Sequence, residues 1–388
     1  MPNLAQHIET VPASGIRHIF EMSTKLDGII SLVIGEPDVA VAPHIAEAAK
    51  RAWDADETSY TPNGGIAPLR AAIVGKLARE NDIHVDTERV WVTVGATQAL
   101  YQAMTLTLQA GDEALVPDPG YTTFTMGVRM LDARPVPYSL LPERGFLPSI
   151  DELESLVTDR TRVLIINSPS NPLGAIFPEA VLRELLDFAK RHDLWIISDE
   201  VYEYFTYGEK HVSIASLESA EDGERSRVFS AFSLSKTYAM TGIRVGYLVT
   251  PPGLAATMRT VQEATISCVN TPAQYAAVAA MTGDHSHVAA AKAHYRANLV
   301  AATSALEARG IRYLPPTGAF YLWIDVGHVS GGDVAEWAET FLLEKRVAVA
   351  PGSAFGRSGE GWIRVCLATP EDLLLEGLGR IPAPGGLK

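Results

Sequence analysis

The sequence is short of the residues that build disulfide frameworks and metal sites. Its two cysteines, Cys268 and Cys366, are too few for a framework and far apart, so both are expected as small core residues. The ten histidines are scattered. Only His285 and His287 are close, and without further ligands at metal-site spacing they read as part of a surface turn. Basic charge is also scarce: 32 Lys and Arg stand against 46 Asp and Glu, for a net charge of −14 with no basic stripe. That balance argues against nucleic acid and anionic membranes as partners. No apolar run approaches the roughly eighteen residues of a membrane span, and residues 1–12 lack the basic and apolar regions of a secretory signal, so a cytoplasmic protein is expected. Neither a P-loop nor a G-x-G-x-x-G turn is present.

What the chain does have is hydrophobic content, 47%, over a length that exceeds one ordinary core. From residue 90 short apolar runs alternate with amphipathic segments. Strands are expected over 90–94, 113–116, 134–136, 163–167, 195–199, 227–231 and 246–249, with helices over 96–108, 122–130 and 179–191. This alternation predicts an α/β fold: a mainly parallel seven-stranded sheet with helices on both faces. One strand should break the rule. Too few residues separate 231 from 246 for a crossover helix, so the last strand should run antiparallel. Helices follow over 254–265, 272–281 and 288–309, then strands over 320–326, 346–350 and 361–368 with a helix over 333–344, a smaller α+β unit. Upstream, 4–20 and 43–53 read as helical, 29–35 as a strand ending before Pro37, and 58–69 as a loop. The expected division is a large unit over 45–285 and a small one formed by 1–44 with 286–388.

The stretch 230–247 reads S-A-F-S-L-S-K-T-Y-A-M-T-G-I-R-V-G-Y. A buried strand should deliver Ser233, Ser235 and Lys236 into a loop, the place where α/β proteins collect ligands. Eight residues on lies Arg244, flanked by Gly242 and Gly246. A lysine amine can form a Schiff base with a carbonyl, and arginine with serines can hold a phosphate. A lone loop lysine is ordinarily solvated. Here the whole pattern S-x-S-K-x-x-x-x-x-G-x-R-x-G resembles the lysine-attachment signature of the class I and II aminotransferases, which bind pyridoxal 5′-phosphate (PLP).

That resemblance implies Lys236 as the Schiff-base lysine, with Arg244, Ser233 and Ser235 on the phosphate, in a fold of the PLP fold type I kind. It extends to further strings in the family's order, from Gly35 to Arg364. Asp199 of D-E-V-Y would stabilise the protonated pyridine nitrogen, although an isolated Asp there reads as a helix cap. Asn171 of N-P-L-G and Tyr202 would donate to the phenolate oxygen, with Leu173 where the family commonly has threonine; the bond before Pro172 is a candidate cis peptide. Ala96 and Thr97, at a helix start, would offer backbone N–H groups to the phosphate. Tyr121 would stack on the ring, with core packing as its rival. Arg364, in an apolar strand, would bind the substrate α-carboxylate rather than a structural acid, and Gly35 would let the backbone approach the same group. Tyr60 of Y-T-P-N-G-G resembles the residue that reaches the partner subunit's cofactor phosphate, which implies a homodimer with shared sites.

The implied reaction moves an amino group from an L-amino acid to a 2-oxo acid, with 2-oxoglutarate expected as acceptor. Lys236 would serve as general base, its pKa lowered by Arg244 and a desolvated pocket. A lysine found in some aspartate-using relatives is Thr97 here, so the side-chain class stays open. A PLP lyase of the cysteine-S-conjugate β-lyase type would use the same residues. The effector half of a transcription regulator would need a DNA-binding segment for which the sequence before Gly35 has no room.

Overall fold

The computed structural model describes residues 3–208, 210–219 and 225–385. The ends of the expected small unit, 1–2 and 386–388, lie outside them. The run expected as a strand over 29–35 forms a ladder over two residues only, β1 (Ile30–Ser31). The seven alternating runs become β2 (Val90–Thr93), β3 (Glu113–Asp118), β4 (Arg134–Ser139), β5 (Thr161–Asn167), β6 (Trp195–Asp199), β7 (Val228–Ser233) and β8 (Gly246–Val249). They build one sheet in the order β2-β8-β7-β6-β5-β3-β4. β8 is antiparallel to both neighbours, as its short connection requires, and the other pairs are parallel.

Both faces of this sheet are covered, which explains why its strands read as continuous apolar runs. Leu115, Leu164, Ile166, Ile196 and Val228 turn one way into a core shared with the chain's last third. Ala114, Val163, Ile165, Ile197 and Phe229 turn the other way, onto Leu100 and Met104 of the Gly95–Thr107 helix. The helix expected over 4–20 is instead a 3-10 turn, Gln6–Thr10, followed by a separate helix, Gly15–Ser23; the other expected helices are present with ends within two residues, including Glu179–Arg191 and a long Ser286–Glu307. Among the described residues four helices were not expected: Ala67–Lys76, Ile150–Leu156, the one-turn Leu234–Thr237 and Glu371–Gly379. The first begins inside the stretch read as a loop, because Pro68 sits in the first turn, where a missing N–H costs nothing.

The last third adds β9 (Tyr313–Leu314), β10 (Tyr321–Asp325), β11 (Val347–Ala348), β12 (Ala350–Pro351) and β13 (Trp362–Cys366). The single strand expected over 346–350 is two. β11 pairs with β1, parallel, whereas β12 joins an antiparallel sheet ordered β12-β13-β10-β9. Leu32 stitches these sheets together, its N–H donating to Ala348 O at 2.8 Å and its carbonyl accepting from Cys366 N at 2.9 Å. The 30–33 segment, buried at Ile30, Leu32 and Val33 and exposed at Ser31, thus belongs mostly between sheets. Cys366 is buried and Cys268 only half-buried, so one of the two is a core residue. No group of three or more potential metal ligands occurs among the described residues. None of their helices is long and apolar enough to cross a membrane.

Candidate active site

Three neighbouring parallel strands end level with one another. Asn167 of β5 lies opposite Asp199 of β6, which lies opposite Ala231 of β7. Polar residues just past these ends open into a cavity of about 270 Å³. The parallel sheet's carboxyl edge is where such a cavity belongs.

β7 delivers the lysine differently from expectation. Ser233 is its last residue and caps a one-turn helix, Leu234–Thr237, by accepting from Ser235 N at 3.0 Å. Ser235 and Lys236 therefore sit on that turn rather than in an open loop, which fixes the lysine stem. Lys236 Nζ donates to Gly35 O at 2.5 Å and forms no ion pair among the described residues. Arg244, in the left-handed region at φ 62°, sends NH1 to Thr241 O at 2.6 Å and to Ser235 Oγ at 3.4 Å. Its guanidinium fills the space beside Gly95, where any Cβ would collide with it. Gly95 opens the helix that carries Ala96 and Thr97, whose first turn has no side-chain cap. Uncapped N–H groups beside a guanidinium make an anion cradle.

On the opposite wall Arg364 is 2% exposed. It donates from NH1 to Asn171 Oδ1 at 2.7 Å and from NH2 to Val33 O at 2.5 Å, while Nε has no partner. No acid pairs with it among the described residues, so the structural salt bridge that would make it a mere core arginine is missing. Asn171 is held by donating its N–H to Asn167 Oδ1 at 2.8 Å, and the Asn171–Pro172 bond is cis. With Oδ1 engaged by Arg364, its amide N–H₂ is the group left to donate. Tyr202 Oη lies 2.6 Å from Tyr321 Oη.

Burial dominates the electrostatics. Asp199 is buried, accepts only from Val201 N at 3.3 Å, and has its carboxyl pushed up to about 7 by burial, with Glu200 adding repulsion. Lys236 is pushed down to about 8, first by burial and then by the Arg364 guanidinium; Arg244, expected as a main cause, contributes least of the named groups. An acid and an amine both displaced toward neutrality in one cavity mark it as a place for chemistry.

A family model for aminotransferase class I and II matches residues 27–381. The chain is 39% identical over 384 residues to an aromatic-amino-acid aminotransferase 2 of Thermococcus litoralis and 38% identical over 382 residues to an aspartate aminotransferase of Pyrococcus abyssi, each match spanning 97% of both chains. The chain belongs to the class I and II aminotransferases. Among solved structures, the aspartate aminotransferase of Thermus thermophilus with maleate matches at a TM-score of 0.92 and 33% identity, over 98% of this chain and 99% of that one. The aromatic aminotransferase of Pyrococcus horikoshii matches at 0.87 and 38%, over 94% and 97%.

In this aminotransferase nearly every residue singled out in the sequence reaches the cavity wall. Gly35, Ala96, Thr97, Tyr121, Asn171 and Asp199 line it, as do Tyr202, Ser233, Ser235, Lys236, Arg244 and Arg364. Tyr121 meets Phe124 edge-on at 5.8 Å and keeps part of its surface open to the cavity. Tyr60 stays outside the cavity wall and is 92% exposed. Arg17 and Tyr321 also line the aminotransferase cavity, and no motif singles them out. Arg17 precedes any recognisable motif. Tyr321 looks like one more aromatic in an apolar strand.

Proposed function

We propose that this aminotransferase holds pyridoxal 5′-phosphate in the cavity at the ends of β5, β6 and β7 and transfers an amino group from an L-amino acid to 2-oxoglutarate. The observation that carries this reading is the convergence of Lys236, Asp199, Arg244 and Arg364 on one cavity in which none of the four forms an ion pair among the described residues. The donor set fits the group. Asp199 would face the pyridine nitrogen, Lys236 the aldehyde, Asn171 and Tyr202 the ring oxygen, and Tyr121 the ring face. Arg244, Ser233, Ser235 and the N–H groups of Ala96 and Thr97 would hold the phosphate. When bound, the group acts as an electron sink for the carbanion left by Cα deprotonation.

The protein's share of the reaction follows from its own groups. Arg364, with Nε unpartnered, binds the substrate α-carboxylate beside Gly35, whose missing Cβ makes way for the Tyr321 hydroxyl. That bond orients the Cα–H toward Lys236. Lys236 Nζ, pushed toward neutrality by burial, takes that proton and returns it. Asp199, as a carboxylate, would stabilise positive charge on the bound group's ring nitrogen. For the acceptor's second carboxylate the cavity offers Arg17, a lining cation with no acidic partner among the described residues, 5.6 Å from the Phe20 ring. The Thermus relative's structure with maleate, itself a dicarboxylate, supports the same reading.

Dimerisation through Tyr60, a cytoplasmic location and a division into units 45–285 and 1–44 with 286–388 complete the proposal. A spectrum tests it. With PLP added, one amino acid should shift the visible absorbance band and 2-oxoglutarate should restore it. A band that never responds, or ammonia released with no acceptor present, would overturn it.

A further inference from the structure

Tyr321 is the first residue of β10, 1% exposed, and lies opposite Cys366 of β13. It touches three parts of the site at once. Its hydroxyl is 2.6 Å from that of Tyr202 and has no other hydrogen-bond partner among the described residues. Its ring lies 4.3 Å beneath the Arg364 guanidinium carbon. Its Oη occupies the space a Cβ on Gly35 would need. Nothing in the packing of β10 demands a hydroxyl there, since Phe320 beside it buries as fully without one.

The direction of the hydroxyl pair is set by counting protons. Burial pushes both phenols up, and of the ionisable groups facing them Arg364 pulls the other way while Tyr121 and Cys366 add to the rise, so both stay protonated at neutral pH. Each hydroxyl has one proton to give. If Tyr202 donates to an anionic oxygen in the cavity, the short contact leaves Tyr321 as its donor. A hydroxyl that accepts a hydrogen bond becomes a stronger donor in turn.

We propose that Tyr321 is a positioning residue that links the two ends of the site: its hydroxyl strengthens Tyr202 as a donor to the bound cofactor's ring oxygen, while its ring supports Arg364 at the carboxylate subsite. This rests on the cofactor reading above. A stronger donor keeps negative charge on the ring oxygen and away from the neighbouring imine nitrogen, which lowers that nitrogen's pKa. Tyr321→Phe removes the hydroxyl and keeps the ring, so it separates the two roles.

The test is a pH titration of the visible absorbance band of PLP-loaded protein, compared across the unaltered chain, Tyr321→Phe, Tyr202→Phe and the double variant. Tyr321→Phe should raise the imine pKa by about half a unit, and Tyr202→Phe should raise it further. In the double variant the missing Tyr321 hydroxyl should add nothing, because it acts only through Tyr202. The amino-acid KM of Tyr321→Phe should stay within about twofold, since the ring under Arg364 remains. An unchanged pKa in Tyr321→Phe, or a shift that persists in the Tyr202→Phe background, would overturn the inference. Absence of any titrating band in the unaltered protein would overturn the cofactor reading itself, a separate failure.

Discussion

Asp199 and Glu200 are adjacent, both buried, and look into two different polar clusters. Glu200 belongs to a network that pairs most of its polar groups internally, leaving Glu200 Oε1 and His211 Nδ1 without a hydrogen bond. Its Oε2 accepts from Ser213 Oγ and lies 2.8 Å from His211 Nε2; Asn81 Nδ2 donates to Ser213 Oγ at 2.9 Å and to Glu203 Oε2 at 2.6 Å. Lys76, 2% exposed, pairs with Glu203 and donates to Asn81 Oδ1 at 2.8 Å. Asp199 faces the cavity, where Lys236 has only a carbonyl and Arg364 keeps one N–H idle. Burying charge is costly unless it is paired, so the first cluster stabilises the fold while the second leaves its cost for a ligand to offset. Each cluster contains a lysine, Lys76 buried and Lys236 half-buried, and their partners tell the roles apart.

Replacing each lysine should break this contrast most sharply. Lys236→Ala should cut turnover by at least about 10³-fold without destabilising the apoprotein. Lys76→Met should do the reverse, lowering stability by about 3–5 kcal/mol because Glu203 is left buried and unpaired, with turnover per folded molecule within about twofold. Denaturant unfolding and steady-state rates on the same samples check both.

The pH dependence of apoprotein stability sharpens it next. Asp199 moves from 3.8 unfolded to about 7 folded, so between those values the native state holds a proton the unfolded chain has lost. Stability should therefore fall as pH rises from about 4 to 7, by about 4 kcal/mol from this group. Lys236 acts oppositely: from about 8 to 10.5 the unfolded chain holds the extra proton, and stability should recover. Asp199→Asn should remove the first slope, measured as the difference from the unaltered protein.

Arg364→Ala should raise the amino-acid KM about 10²-fold, the loss of a charge-assisted pair, as initial rates would show. Tyr60→Phe should have the smallest effect, a few-fold loss of PLP affinity by equilibrium titration, and only in a dimer.

The sheet was legible because strands covered on both faces leave unbroken apolar runs, and a connection too short for a helix fixed β8 as antiparallel. The fold's second half was less legible. Residues 346–350 change sheets within one apolar run, a switch that Leu32 and Arg364 enforce from far away in sequence. The site's motif residues could be read because their chemistry needs fixed types at fixed spacing. Tyr321 could not, since its hydroxyl matters only through Tyr202, 119 positions away. The desolvated pocket expected around Lys236 does lead, but Arg364, from a strand far away in sequence, outweighs the neighbouring Arg244.

Peptide mapping of PLP-loaded protein after borohydride reduction tests the central claim most directly. The account predicts one stable adduct per chain, on Lys236. An adduct spread over surface lysines, carried by Lys76, or absent altogether would contradict it.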